Sequence, residues 1–240
     1  MFNIVFSVTL NPKNFNRNCV TVGLLLCFFG AKLILEVSFM KKVLIATGNA
    51  GKVNLYKQLL ADAGLVGVGA KELGVSAEAE ENGATEVENA IIKAKAFFEV
   101  SGGMPVLAND SGLIIDKFSE ADQPKQLVRR YGGRDLTDEE MLEVYIEKLN
   151  AVGGESTGHY NVALAIVDEN GKVYSREFKP ERYFINKPSK TLQKGFPLSS
   201  LAYDKKSGKY LSEMTAAEKI AYEEDAMQKQ REFIEEVLKK

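Results

Sequence analysis

An alternation that begins at Met40 constrains this chain more than any other feature. Short apolar runs give way to helix-period segments, and glycines mark the joints between them. Val43-Leu-Ile-Ala46 is an apolar run that ends in a Gly-containing turn, as a buried strand does. Beyond the turn, Val53, Tyr56, Leu60 and Ala63 share one helical stripe, with Gly64 as its stop. Residues 65–70 read as a second strand. Thr85-Glu-Val-Glu88 has capping-box spacing, in which the Thr85 hydroxyl and the Glu88 carboxylate satisfy free amides reciprocally. The helix it opens buries Val87, Ile91, Ala94 and Phe98 and leaves Glu86, Asn89 and Lys93 on another face. Residues 105–116 are apolar except at Asn109-Asp-Ser-Gly112, as if a strand broke there to present polar groups. Thr137 with Glu140, and Thr215 with Glu218, repeat the capping spacing. Residues 160–167 and 173–178 flank Asp168-Glu-Asn-Gly171 as a hairpin. This order predicts a single α/β domain with a mixed sheet.

A chain of 240 residues, 45% of them hydrophobic, can bury the core of one domain or of one domain with a tail. Its net charge of −2 lacks the basic footprint of a nucleic-acid binder, so no nucleic-acid polymer is expected as a partner. Both cysteines, Cys19 and Cys27, fall in the first 39 residues, so the rest can form neither a disulfide framework nor a zinc–thiolate site. A reducing, cytoplasmic setting follows for that body.

Residues 1–39 read differently. Only Lys13, Arg17, Lys32 and Glu36 are charged there, and an apolar run covers residues 19–31. One reading is a basic and apolar targeting or membrane segment. Against it, no Ala-x-Ala cleavage site follows Ala31, and the gap between Arg17 and Lys32 falls short of the ~20 residues of a spanning helix. The preferred reading is a non-native extension, with translation beginning at Met40 and the domain covering 40–240. No membrane is then expected as a partner.

Three segments carry chemistry. In Thr47-Gly-Asn-Ala-Gly-Lys52, small residues let backbone amides approach an anion where a helix begins, and Lys52 adds a full charge. It is no Walker A loop: only two residues separate Gly48 from Gly51, and Val53 stands where Ser or Thr would hold magnesium. Asp110, inside an apolar run, is costly to bury unless paired, hydrogen-bonded or bound to metal. Asn109-Asp-Ser-Gly112 is either good turn chemistry or a site in which Asp110 binds magnesium or activates water while Ser111 touches a phosphate. Glu80, in Glu80-Glu-Asn-Gly83, would be a second hard oxygen ligand, or else a surface acid.

In this order and spacing the segments resemble the inosine triphosphatase family, pyrophosphatases of non-standard purine nucleoside triphosphates such as inosine and xanthosine triphosphate. That family's pattern runs Thr-Gly-Asn-x-x-Lys, Glu-x-x-Gly, Glu-Asn-Ala-x-x-Lys-Ala and Ala-Asp-Asp-Ser-Gly-Leu. The chain matches it at Thr47, Gly48, Asn49, Lys52, Glu80, Gly83, Glu88, Asn89, Ala90, Lys93, Ala94, Asp110, Ser111, Gly112 and Leu113, across about 42–116. The resemblance implies an elongated central sheet flanked by helices, a homodimer, and Mg2+-dependent cleavage of a nucleoside triphosphate to monophosphate and pyrophosphate. It makes Asp110 the catalytic acid/base, Glu80 and Asp110 metal ligands, and Thr47, Gly48, Asn49, Lys52 and Ser111 substrate contacts. Asn109 replaces the family's first aspartate. Arg130-Tyr131 is similar to the family's Arg-Tyr, but Pro124-Lys125 stands in place of Pro-Gly.

The C-terminal half departs further. The family's Gly-Phe-Gly-Tyr-Asp-Pro segment corresponds to Gly195-Phe-Pro-Leu-Ser-Ser200, which keeps Phe196 to stack on a base. Lys219 matches a phosphate- or base-side lysine, but Glu223-Glu224-Asp225 stands where the family has Ser-His-Arg. Either these acids replace donors to a 6-oxo group with acceptors, altering base selectivity, or they form a solvated helix face. His159, Tyr203 and Tyr210 are assigned no chemistry. Two functions remain: a triphosphate pyrophosphohydrolase that sanitises nucleotide pools, or a nucleotide-binding sensor of the same fold that lost turnover.

Overall fold

The computed structural model describes residues 22–28, 31–37, 40–80, 82–130 and 133–239. Strands β1 (Val22–Phe28) and β2 (Ala31–Val37) form a two-stranded antiparallel sheet of their own. The part of the apolar run at 22–28 is thus a strand. Residues 1–21, 29–30 and 38–39, on which the targeting and extension readings of 1–39 also rest, lie outside the described residues. No helix among the described residues is long and apolar enough to cross a membrane.

The main sheet opens with β3 (Lys42–Ala46), and a Gly-containing turn leads into α1 (Ala50–Asp62). Next come β4 (Val66–Gly69) and the single turn α2 (Ala70–Leu73), so the second strand ends at Gly69 and Ala70 already belongs to a helix. Helix α3 (Glu86–Val100) returns the chain to β5 (Val106–Ile115). Helix α4 (Asp138–Ala151) precedes the long β6 (Glu155–Val167), followed by β7 (Val173–Phe178) and β8 (Glu181–Ile185). The small pair β9 (Tyr203–Asp204) and β10 (Lys209–Tyr210) comes before the C-terminal helix α5 (Ala216–Leu238).

Six strands run in the order β4-β3-β5-β6-β7, with β8 also on β6. β3 is parallel to β4 and β5, and every pair that involves β6 is antiparallel. β6 is the spine: β7 lies along 162–167 and β8 along 155–159 of the same edge, which elongates the sheet. His159 therefore sits inside β6, paired with Ile114 and Glu181, rather than before a strand. The Asp168–Gly171 hairpin forms as the turn residues dictate, with Asp168 Oδ1 accepting from the N–H groups of Asn170 and Lys172 at 2.9 Å. Tyr203 and Tyr210 pack edge to face, 5.2 Å between centroids.

Both faces of β3 are buried, which is why its sequence is a continuous apolar run. Val43 and Ile45 pack with Leu59 and Leu60 of α1 and Phe233 and Ile234 of α5. Leu44 and Ala46 face the other layer with Ala90 and Ala94 of α3. That second layer is built from small residues (Ala46, Ala108, Ala163 and Ala165 meeting Ala90 and Ala94), so α3 lies close against the sheet. The helix turns its polar stripe inward: Glu86 and Asn89 are buried, while Val87, Ile91 and Phe98 are only partly covered. The apolar stripe expected to face the core yields to the alanines and to the needs of β5. A third cluster packs α4 against Leu113, Ile115 and Phe184.

Capping boxes form in full at Thr137/Glu140 and Thr215/Glu218. At α3 only half does: Thr85 Oγ1 accepts from Glu88 N, but Glu88 Oε2 takes the N–H of Ala84.

Candidate active site

The site arises where β3 stops. Val106, Leu107 and Ala108 pair with β3 on one side and β6 on the other. From Asn109 onward β5 keeps β6 but has lost β3, because the chain turns away at Thr47 into α1. β5 itself does not break: Asn109–Gly112 continue the ladder opposite Leu164, Ala163, Val162 and Asn161. Asn109-Asp-Ser-Gly112 is thus neither a turn nor an interruption but a strand with one edge laid open. Polar residues are tolerated there because successive side chains leave opposite faces and meet partners from different helices.

Ser111 points toward α1, where Lys52 Nζ donates to its Oγ at 3.1 Å. Asn49 is the N-cap of α1; its Oδ1 accepts from Lys52 N at 3.1 Å, and its own N–H donates to Thr47 Oγ1 at 3.3 Å. Gly48 and Asn49 are exposed, so this turn presents its backbone at a helix N-terminus.

Asp110 leaves the opposite face and meets α3. Asn89 Nδ2 donates to Asp110 Oδ2 at 3.3 Å and to Gln126 Oε1 at 3.3 Å, while Asn89 Oδ1 accepts from Gly83 N at 2.8 Å. One buried amide thereby ties together β5, the loop into α3 and the segment at 124–126. Lys93 Nζ donates to the Asn109 carbonyl at 3.3 Å, at the open edge. It also lines a cavity of about 220 Å³ with Thr47, Gly48 and Phe97. Sequence reasoning gave Asn89 and Lys93 no role, although their shared face with Glu86 was the available signal.

Glu80 is exposed on the loop between α2 and α3, and among the described residues no side-chain hydrogen bond fixes it to Asp110. No group of three or more His, Cys, Asp or Glu able to hold a metal occurs among those residues. The Asp110 carboxylate, beside the open strand edge, is by itself a hard oxygen donor of the kind a cation that keeps waters and phosphate oxygens uses. Asn109 is buried; its Nδ2 donates to the carbonyls of Asp110 and Ala163, and its Oδ1 has no partner among the described residues.

The C-terminal residues close over the other end. A Cβ on Gly51 would lie 2.4 Å from Cε2 and Cζ of Phe196, so glycine at that place lets the ring seat on the Thr47–Lys52 turn. Phe196 is nevertheless 41% exposed, leaving a ring face available for stacking. Lys219 Nζ donates to Gln193 Oε1 at 2.7 Å, three residues before Phe196.

The acids of α5 do not form a row of acceptors. Glu223 is paired with Arg182 of β8, whose guanidinium lies 5.8 Å from the Tyr160 ring and 5.3 Å from that of Tyr222. Glu224 is exposed, and Asp225, also exposed, pairs with Lys229 one turn on at 2.7 Å. Glu223 is thus neutralised by a partner that sequence could not foresee, because Arg182 lies 41 residues away. Arg130 pairs with Asp135 at 3.4 Å, and Tyr131 lies outside the described residues.

Residues 43–232 match the model of the Ham1 family. A dITP/XTP pyrophosphatase of Escherichia coli O157:H7 is 47% identical over 113 residues, 47% of this chain and 55% of that protein; the chain thus spans about half the length of that relative. One from Erwinia tasmaniensis is 36% identical over 187 residues, 76% of this chain and 87% of its own length. The solved structure of a HAM1 protein from Coxiella burnetii superposes with a TM-score of 0.65 at 27% identity, covering 82% of this chain and 100% of that one. Motif order, sheet topology and the family match over most of the sequence agree: this chain belongs to the Ham1 family.

Proposed function

We propose that this chain is a nucleoside triphosphate pyrophosphohydrolase that releases pyrophosphate and a nucleoside monophosphate. The carrying observation is that adjacent residues of the open β5 stretch engage two different helices, Ser111 bonded to Lys52 of α1 and Asp110 bonded to Asn89 of α3. Relatives named dITP/XTP pyrophosphatases support the substrate class. In this reading the amides after Thr47, Gly48 and Asn49, with Lys52 and Ser111, hold the triphosphate. Asp110, oriented by the Asn89 amide, takes a proton from the water that attacks phosphorus. The new bond is water oxygen to phosphorus, the bond broken leads to the departing pyrophosphate, and the proton goes to the Asp110 carboxylate. Glu80 and Asp110 would hold Mg2+, which supplies polarisation of the phosphoryl oxygens. Phe196 stacks on the base and Lys219 stands at the base end. A cytoplasmic homodimer engaged in nucleotide-pool sanitising completes the proposal.

Altered base selectivity belongs to the same reading but rests on lost donors, not on new repulsion. Where the family carries Ser-His-Arg, this chain has Glu223 bound to Arg182 and two exposed acids. Donated hydrogen bonds give the strongest discrimination a pocket achieves, about 10⁴–10⁵. Without them, preference for inosine triphosphate over an amino-bearing purine triphosphate shrinks.

Pyrophosphate release over standard and deaminated nucleotides, with and without Mg2+, tests both statements. The expected result is metal-dependent pyrophosphate and monophosphate from a purine triphosphate, with inosine favoured by less than about 10²-fold. A stronger preference for inosine removes the selectivity claim. The orphaned Asn109 Oδ1 favours a second reading, a nucleotide-binding protein without turnover. Tight nucleotide binding with no pyrophosphate under any condition would establish it instead.

A further inference from the structure

The segment that delivers Phe196 is tethered from an element that the phosphate-end chemistry does not use. Asp138 is the first residue of α4, and its two carboxylate oxygens are engaged separately. Oδ1 accepts from Arg129 Nη2 at 2.7 Å; Oδ2 accepts from the backbone N–H of Gly195 at 2.7 Å. Arg129 is fixed on its other side, where Nη1 donates to the Leu136 carbonyl at 3.0 Å. The Gly195 amide foremost, and then Arg129, hold the Asp138 carboxyl below the usual carboxylate range, so it is an ionised, charge-assisted acceptor at neutral pH.

Packing does not replace this tether. A cavity of about 550 Å³ opens beside it, lined by Arg129, Thr137, Asp138, Glu139, Leu192 and Lys194, and Leu192 and Lys194 are exposed. Downstream the chain is anchored by buried Leu198 and Leu201. Upstream of Phe196, the Asp138 bond bridges the gap at the residue where the backbone reverses, Gly195 with φ 82°. That reversal places the Phe196 ring on Gly51.

We propose that Asp138 is a positioning residue for the nucleobase: by holding the Gly195 N–H it fixes the Phe196 ring over the phosphate turn, so that base and triphosphate are gripped in register. This rests on the reading of Phe196 as the base platform. A loosened ring costs affinity and leaves the phosphorus chemistry at Asp110 untouched.

The test measures KM and kcat for the best purine triphosphate and, in parallel, the Kd of a non-hydrolysable purine triphosphate, which carries the test even without turnover. Asp138→Ala is expected to raise KM and Kd about tenfold with kcat within about threefold. Asp138→Asn keeps an acceptor for Gly195 and stays within about threefold on all counts. In a Phe196→Ala background, Asp138→Ala adds nothing further, because both act through one ring. Should alanine at the helix start impair folding, Asp138→Ser suits the first turn, is too short to reach Gly195, and gives the same readout. The inference falls if Phe196→Ala weakens binding and Asp138→Ala does not, if their effects multiply in the double variant, or if Asn is as poor as Ala. If Phe196→Ala itself changes nothing, the platform reading fails first and takes the inference with it.

Discussion

At the scale of residues, the proposed site divides its labour between the two faces of one strand, and mutation is expected to separate them. Lys52 is a point charge in a turn whose backbone amides remain when it is lost. Lys52→Ala should therefore raise KM for the triphosphate, leave the melting temperature in place and reduce kcat less than KM rises. An unchanged KM, or loss of folding instead, would put Lys52 outside the phosphate site. Asp110 is the opposite case. Asparagine in its place keeps shape and an acceptor for Asn89 but cannot take a proton, so Asp110→Asn should lower kcat by about 10²–10⁴ with binding retained. Activity within about threefold of the parent protein would take Asp110 out of the mechanism.

At the scale of elements, the spacing between α3 and the sheet sets the Asp110 carboxylate. Asn89 reaches β5 because Ala90 and Ala94, flat against Ala108, Ala163 and Ala165, let the helix come close. Ala94→Leu should lift α3, cost about 1–3 kcal/mol from overpacking, and lower Tm by about 2–4 °C for each of those kcal/mol. Turnover measured well below the new Tm should fall as well; an unchanged kcat beside a lowered Tm would mean that the alanine layer serves stability alone. This layer also shows what the sequence could and could not disclose. The β3 strand, the α1 stripe, the Asp168–Gly171 hairpin and two of three capping boxes were legible, because strand burial, helical period, turn chemistry and caps are decided within a few residues. The unbroken course of β5 through Asn109–Gly112 was not. It depends on β6, whose pairing residues lie some fifty positions away and supply the ladder that local propensity would have refused. Asn89, matched in sequence, was given no role for a like reason, since its three partners come from three segments. The Arg182–Glu223 pair, between residues 41 apart, neutralises one of three acids that sequence shows only as a row.

At the scale of the molecule, what matters is which part of the chain suffices for the site. Every strand of the six-stranded sheet lies between Lys42 and Ile185, and the named members of its core clusters run from Val43 to Leu238. The β1–β2 pair forms a two-stranded sheet separate from the six-stranded one, and an isolated two-stranded hairpin is marginal in water. A chain beginning at Met40 should then be monodisperse, show a single cooperative melt, and keep the catalytic efficiency of the 240-residue chain, since Lys52, Asn89, Asp110, Ser111, Asp138 and Phe196 all lie in it together with the partners named above. The measurements are the melting curve and kcat/KM of both lengths side by side. Aggregation of the shorter chain, or a matching loss of melt and efficiency, would make the N-terminal strands part of the folding unit and end the reading of residues 1–39 as a dispensable extension.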